Sequence, residues 1–120
     1  MTKEKPVALI VGAGDYIGAA IAKRFASGGF KVCVGRRSFD KLTPLVREIK
    51  ENGGEAIPFE FDARKEDVTE KVFKEIENNI GPLDLVVFNP GGNVYFPISE
   101  TTSRVFRKVW EMSCFAGFLT

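Results

Sequence analysis

Three glycines, Gly12, Gly14 and Gly18, lie close together between an apolar run and an amphipathic stretch. Gly12 permits a tight turn, Gly14 lets the backbone approach a pyrophosphate, and Gly18 lets the following helix pack closely on the strand. The amino terminus of that helix adds unpaired N–H groups and the positive end of its dipole. This arrangement predicts dinucleotide binding, the alternative being a strand-to-helix turn that merely needs glycine. The predicted contacts are Gly12, Gly14, Asp15, Tyr16, Ile17 and Gly18.

A second group of residues, Arg36, Arg37 and Ser38, stands where the second apolar run ends. In dinucleotide-binding folds an acidic residue here holds a ribose 2′-OH and favours NAD, whereas arginine accommodates the 2′-phosphate of NADP. This stretch has no acid, and its two guanidinium groups and its serine hydroxyl can bind a phosphate. The sequence therefore favours NADP, with NAD as the second choice, and it disfavours S-adenosylmethionine. The alternative is a pair of solvated arginines that begin a loop.

The composition excludes several other kinds of site. The chain has no histidine, so a Ser-His-Asp triad, a Cys-His dyad and a histidine-rich metal site are excluded, and no metal site is predicted. No Lys-Ser or Lys-Thr follows the glycine loop, which argues against a P-loop for ATP or GTP. Seventeen basic and sixteen acidic side chains give a net charge of +1, whereas a nucleic-acid binder needs a concentrated basic face.

The cysteines and the amino terminus indicate the cellular compartment in which we expect the protein. Cys33 lies in an apolar run and Cys114 in a helical pattern, so both are predicted to be buried and free of a disulfide. The first six residues are polar, which argues against a signal peptide. The longest apolar run is far too short to span a membrane. We therefore expect a cytoplasmic protein without a membrane partner.

Apolar runs alternate with amphipathic stretches along the chain, which is the pattern of an α/β protein. Continuous apolar runs predict strands covered on both faces, and apolar residues at helical spacing predict the helices between them. Crossovers of this length require parallel strands, which predicts a doubly wound, Rossmann-type sheet in the order 3-2-1-4. The predicted strands are 7–11, 30–34, 55–61 and 83–88, and the predicted helices are 15–27, 39–51, 65–79 and 105 to the carboxyl terminus.

Individual residues refine these elements. Ser38 is a candidate N-cap of the second helix, Pro44 fits only its first turn, and Pro58 confines the third strand to an edge or a bulge. The fourth strand would form the other edge, although its apolar run suits a central position. We therefore expect residues 1–120 to form one NAD(P)-binding domain that is incomplete at its carboxyl terminus.

Together these motifs resemble the short-chain dehydrogenase/reductase family along essentially the whole chain. The family's Thr-Gly-x-x-x-Gly-x-Gly corresponds to Val11–Gly18, where Tyr16 replaces the middle glycine and Gly14 supplies another. Asp62-Ala63 is similar to the family's pair beside the adenine ring. Asn89-Pro90-Gly91 is similar to its turn near the nicotinamide ribose. From the residues alone, the alternatives are a helix cap at Asp62 and a simple loop turn after the fourth strand.

The resemblance implies an NAD(P)-dependent oxidoreductase that transfers hydride between the nicotinamide and a carbonyl or alcohol substrate, and a homo-oligomer at full length. Ser113 aligns with a catalytic Asn of the family, but a hydroxyl cannot replace an amide's paired donor and acceptor. The family's Tyr-x-x-x-Lys is absent, because Ala20 and Ser99 lie four residues after the two tyrosines. We therefore expect a cofactor-binding half that is inactive alone. The alternatives are a non-catalytic NADP(H)-binding sensor and a truncation product with little stable structure that associates.

Overall fold

The computed structural model describes residues 4–92 and 94–120, which form one four-stranded sheet flanked by helices. Short 3₁₀ helices at Phe39–Leu42 and Ile98–Glu100 join the longer elements, and a π-helical stretch at Glu111–Phe115 interrupts the last helix. The strands are β1 (Val7–Val11), β2 (Lys31–Arg36), β3 (Glu55–Glu60) and β4 (Leu83–Phe88). The helices are α1 (Ile17–Ser27), α2 (Thr43–Glu51), α3 (Glu66–Asn79), α4 (Ser103–Trp110) and α5 (Ala116–Leu119).

The sheet has the order β3-β2-β1-β4, and every pairing is parallel, which confirms the predicted topology. All five residues of β1 are buried, because helices cover both faces of the sheet. Ala8 and Ile10 belong to the core with α1 and α2, whereas Leu9 and Val11 belong to the core with α3. This alternation follows from the two-residue period of a strand. The carboxyl ends of the strands consequently meet at one edge, where the glycine loop begins.

The element boundaries differ from the predicted ones around β2 and α2. β2 continues to Arg36, so this arginine is the last residue of a strand rather than part of a loop. The predicted helix 39–51 is a 3₁₀ helix followed by an α-helix that begins at Thr43. Pro44 therefore lies in the first turn of α2, as predicted. Its missing N–H costs no hydrogen bond there, because the first N–H groups of a helix have no partner within the helix. Ser38 precedes the 3₁₀ helix, but its side chain makes no capping hydrogen bond, so the prediction of a cap is wrong.

β3 and β4 are the edges of the described sheet, as their positions in the predicted order require. Pro58 is tolerated in β3 because an edge strand forms hydrogen bonds to a neighbouring strand on one side of its backbone only. Beyond β4, one extended helix is formed by α4, the π-helical stretch and α5. The molecule measures 60 × 26 × 22 Å. Its radius of gyration is 15.6 Å, above the roughly 14 Å of a compact chain of this length. Phe106, Trp110 and Phe118 remain exposed on this helix.

The two cysteines lie in different environments. Cys33 is fully buried in β2, and burial raises the pKa of its thiol to about 12, so it is a packing residue rather than a nucleophile. Cys114 is exposed in the π-helical stretch, so the prediction that it is buried is wrong. Both are free cysteines. Among the described residues, no helix has the length and apolar character needed to cross a bilayer.

Candidate functional site

A cleft of about 370 Å³ lies at the carboxyl edge of the sheet. It opens where β1, β2 and β4 end, which is where ligands of open α/β sheets bind. The strand order places these three ends side by side although they are far apart in the sequence. The cleft brings together the predicted residues Gly12, Gly14, Arg36, Arg37, Ser38, Asp62, Ala63, Asn89, Pro90 and Gly91.

The glycine loop is built from backbone contacts. The N–H groups of Gly12 and Ala13 both donate to the carbonyl oxygen of Gly35, at 3.0 and 2.9 Å, which ties the loop to the end of β2. Gly12 has a φ of +79°, a left-handed conformation that glycine adopts without strain. A Cβ on Gly12 would also lie 2.8 Å from the backbone nitrogen of Pro90. The turn therefore requires glycine for its conformation and for the close approach of the loop after β4.

Gly18 and Gly14 have different surroundings. A Cβ on Gly18 would collide with the carbonyl oxygen of Gly12 and lie 2.7 Å from the Cα of Ala13, so this glycine lets α1 pack directly on the loop. A Cβ on Gly14 would meet no protein atom within 4 Å, because Gly14 faces the cleft. Its open surroundings leave backbone surface free for a ligand.

Tyr16 and Ile17 lie at the start of α1 but do not line the cleft. Tyr16 is 86% exposed and Ile17 is 67% exposed. Tyr16 occupies the N-cap position without a side-chain capping bond, which leaves the first turn of α1 without a side-chain partner.

Arg36 reaches back from the end of β2 to the glycine loop. Its Nη1 donates to Oδ1 of Asp15 at 2.7 Å, and its side chain is 19% exposed whereas that of Asp15 is 68% exposed. The hydrogen bond and the charge of Arg36 hold the pKa of Asp15 below its ordinary value. The next residue, Arg37, is exposed at the rim of the cleft beside Ser38. One arginine is therefore engaged by the loop while the other faces solvent.

Asp62 forms a local ion pair with Arg64 in the wall of the cleft. Nε and Nη2 of Arg64 donate to its two carboxylate oxygens at 2.9 and 2.8 Å, and the backbone N–H of Arg64 adds a bond of 3.2 Å. The side-chain hydrogen bond from Arg64 is the main cause that lowers the pKa of Asp62. Asp62 does not cap α3, because that helix begins at Glu66 with Lys65 at its N-cap position. The carboxylate is instead oriented by its turn, next to Ala63.

Asn89 fastens the end of β4 to the glycine loop. Its backbone N–H donates to the carbonyl oxygen of Val11 at 2.9 Å, and its Nδ2 donates to that of Gly12 at 3.2 Å. Pro90 and Gly91 then continue along the cleft wall. Asn89 therefore does more than form a loop turn, because its hydrogen bonds hold the end of β4 against the glycine loop.

Ser113, the candidate catalytic residue, lies on the exposed surface of the π-helical stretch and does not line the cleft. Its neighbour Met112 does line it. The cleft therefore brings together ten of the predicted nucleotide contacts, without Asp15, Tyr16, Ile17, Gly18 or Ser113 in its lining.

Several residues that line the cleft were not predicted from the sequence. Lys41, in the 3₁₀ helix after Ser38, adds a third cation beside the two arginines, and Arg64 adds a fourth. The pairing of Arg64 with Asp62 was predictable from the sequence, because an arginine two residues after an aspartate can pair with it across a tight turn. The place of Lys41 in the cleft was not predictable in this way, because it depends on the 3₁₀ turn that replaces the first turn of the predicted helix. Met112 and Phe61 complete the apolar walls.

The short chain dehydrogenase family matches residues 6–120. The chain is 50% identical to a short-chain dehydrogenase structure from Rhodopseudomonas palustris, with a TM-score of 0.91 over 98% of this chain and 55% of that one. It is 30% identical to an alcohol dehydrogenase from the archaeon Thermococcus sibiricus complexed with 5-hydroxy-NADP, with a TM-score of 0.91 over 98% of this chain and 50% of that one.

Among curated relatives, the hydroxynaphthalene reductase-like protein Arp2 of Metarhizium acridum is 37% identical over 113 residues, which are 93% of this chain and 42% of the relative. The chain thus spans about half the length, or less, of the relatives it matches. The family match covers the glycine loop, the ends of all four strands and the last helix. The chain belongs to the short chain dehydrogenase family.

Proposed function

We propose that this chain is the nucleotide-binding part of an NADP-dependent oxidoreductase that acts on a carbonyl or alcohol substrate. The observation that carries the proposal is the single cleft that joins the glycine loop to the basic end of β2. A dinucleotide needs both features at once, because its pyrophosphate and its adenosine ribose bind at adjacent strand ends. Family membership supports the reaction class, and the alcohol dehydrogenase of Thermococcus sibiricus was solved with an NADP derivative.

The residues present fit such a cofactor. The open backbone at Gly14 and the amino terminus of α1 would hold the pyrophosphate. Asp62 and Ala63 would flank the adenine, and the turn at Asn89–Gly91 would face the nicotinamide ribose. When bound, the nicotinamide supplies or accepts the hydride. The protein's part is to bind and orient the nucleotide, and Met112 and Phe61 would exclude water from the cleft.

The basic end of β2 favours NADP over NAD. Arg36, Arg37 and Lys41 surround the part of the cleft where an adenosine ribose would lie, together with the hydroxyl of Ser38. A 2′-phosphate offers these cations charge-assisted hydrogen bonds that the 2′-OH of NADH cannot. We expect fluorescence titration to give at least about tenfold tighter binding of NADPH than NADH, the effect of one added charge-assisted contact. Tighter binding of NADH would contradict the assignment.

The chain of 120 residues is expected to bind the nucleotide without turning over substrate. Its only tyrosines are Tyr16 and Tyr95, neither is followed by lysine four residues later, and Tyr95 is 98% exposed. No described tyrosine is therefore paired with a lysine that would let it exchange a proton with a substrate oxygen. NADPH consumption followed at 340 nm with a panel of aldehydes and ketones tests this expectation. Oxidation above the protein-free rate would show that the acid-base groups lie within this chain.

The position of Ser113 favours a second candidate function, a non-catalytic NADP(H)-binding sensor. Ser113 is exposed and does not line the cleft, so it does not stand beside the proposed nucleotide site. A sensor would keep the nucleotide contacts and need no proton donor. Carbonyl reduction by the natural protein that contains this chain would exclude the sensor.

A further inference from the structure

The contact between Asp15 and Arg36 joins the two halves of the proposed nucleotide site. Asp15 belongs to the glycine loop, and Arg36 ends the neighbouring strand β2. Oδ1 of Asp15 accepts from Nη1 of Arg36 at 2.7 Å, and the positive charge of Lys41 is near enough to act on the same carboxylate. Asp15 therefore supplies a negative charge to the cations that would otherwise face an anionic ligand.

Of the two partners, Arg36 has the more buried side chain and Asp15 the more exposed one. The side chain of Arg36 is 19% exposed and lines the cleft, and its backbone is held at the end of β2 by a hydrogen bond from the N–H of Phe61 to its carbonyl oxygen at 2.9 Å. Asp15 is 68% exposed and its side chain makes no other hydrogen bond among the described residues. Removal of the carboxylate would thus free the Nη1 donor of a side chain that already lines the cleft.

We propose that Asp15 is a specificity-determining residue that competes with the 2′-phosphate of NADP(H) for Arg36. The inference rests on the proposed function, because it concerns the same cleft. A phosphate that approaches Arg36 must either displace the Asp15 carboxylate or share the guanidinium with it, and two anions on one cation repel each other. NADH carries no 2′-phosphate and does not meet this repulsion. Asp15 therefore reduces the preference for NADPH over NADH that Arg36, Arg37 and Lys41 would otherwise give.

The test compares Asp15→Asn and Asp15→Ser with the wild-type protein in titrations with NADPH and with NADH. Asparagine keeps the size of the side chain and removes its charge, whereas serine also removes the reach to Arg36. Both variants are expected to bind NADPH about threefold to tenfold more tightly, the effect of a surface ion pair together with one like charge. NADH affinity is expected to change less than about twofold, and the gain for NADPH should shrink as salt screens the charges.

Asp40→Asn is the matched control, because Asp40 lies in the 3₁₀ helix beside Lys41 and outside the cleft lining. It removes the same charge from the same region and is expected to leave the NADPH to NADH ratio unchanged. The proposal is overturned if Asp15→Asn and Asp15→Ser weaken NADPH binding, shift both nucleotides equally, or act no differently from Asp40→Asn. A wild-type protein that binds neither nucleotide overturns the proposed function itself, and this inference with it.

Discussion

Gly18→Ala is expected to destabilise the protein by about 3 kcal/mol, at the upper end of what overpacking a close contact costs. The added Cβ would collide with the carbonyl oxygen of Gly12 and lie 2.7 Å from the Cα of Ala13. Both neighbours are backbone atoms, so no side-chain rotation can relieve the contact, and α1 must move away from the loop. The same displacement would open the proposed pyrophosphate site. Urea unfolding followed by circular dichroism measures the loss of stability, and NADPH titration measures the loss of binding.

Gly14→Ala is the control that separates folding from binding. A Cβ at Gly14 would meet no protein atom within 4 Å, and the residue does not require a positive φ. Its free energy of unfolding is expected to change by only about 0.5 kcal/mol, as for other uncrowded surface positions. NADPH binding should still weaken, because the new methyl group projects where a pyrophosphate would lie. An unfolding midpoint of Gly18→Ala equal to that of the wild type would contradict the proposed packing role.

Arg36→Ala and Arg37→Ala are each expected to weaken NADPH binding by about tenfold or more, since a hydrogen bond to a charged group contributes about 1.5–3 kcal/mol. NADH binding should change far less, because the 2′-OH presents no charge to these side chains. Arg37 is exposed and available to a phosphate, whereas Nη1 of Arg36 already donates a hydrogen bond to Asp15. The paired titrations with NADPH and NADH measure the difference directly.

Arg47→Ala provides the charge-matched comparison for these two variants. Arg47 is exposed on α2 and does not line the cleft, so its loss changes the net charge without touching the proposed site. We expect it to leave both affinities within about twofold of the wild type, as for a screened distant charge. Equal losses of NADPH and NADH affinity in Arg36→Ala and Arg37→Ala would remove the 2′-phosphate argument.

The strand pattern and the glycine spacing made the fold and the location of the cleft predictable. The fully apolar β1 indicated a strand covered on both faces, and the long crossovers required parallel pairing, which leaves few strand orders. The turn at Gly12 and the tight packing at Gly18 follow from the same local signals. These features depend on the backbone and on residue size, which the sequence records directly.

Side-chain partners in the cleft were less predictable, because they depend on how distant segments meet. The Asp15–Arg36 contact requires the loop after β1 to lie beside the end of β2, and Lys41 joins them only because a 3₁₀ turn precedes α2. Periodicity indicated a helix around Cys114 but not that this part of the helix would lie so open to solvent. Ser113 was placed by alignment with a family position, and such alignment says nothing about which side of a helix faces the cleft.

We propose above all that the cleft at the carboxyl edge of the sheet binds NADP(H). A titration of the isotope-labelled protein with NADPH, followed residue by residue through its backbone amide resonances, tests it most directly. We expect saturable shifts in the glycine loop, at Arg36 to Lys41, and at Asn89 and Gly91, with little change at the exposed residues of α2. No shifts, or shifts confined to residues outside the cleft, would contradict it.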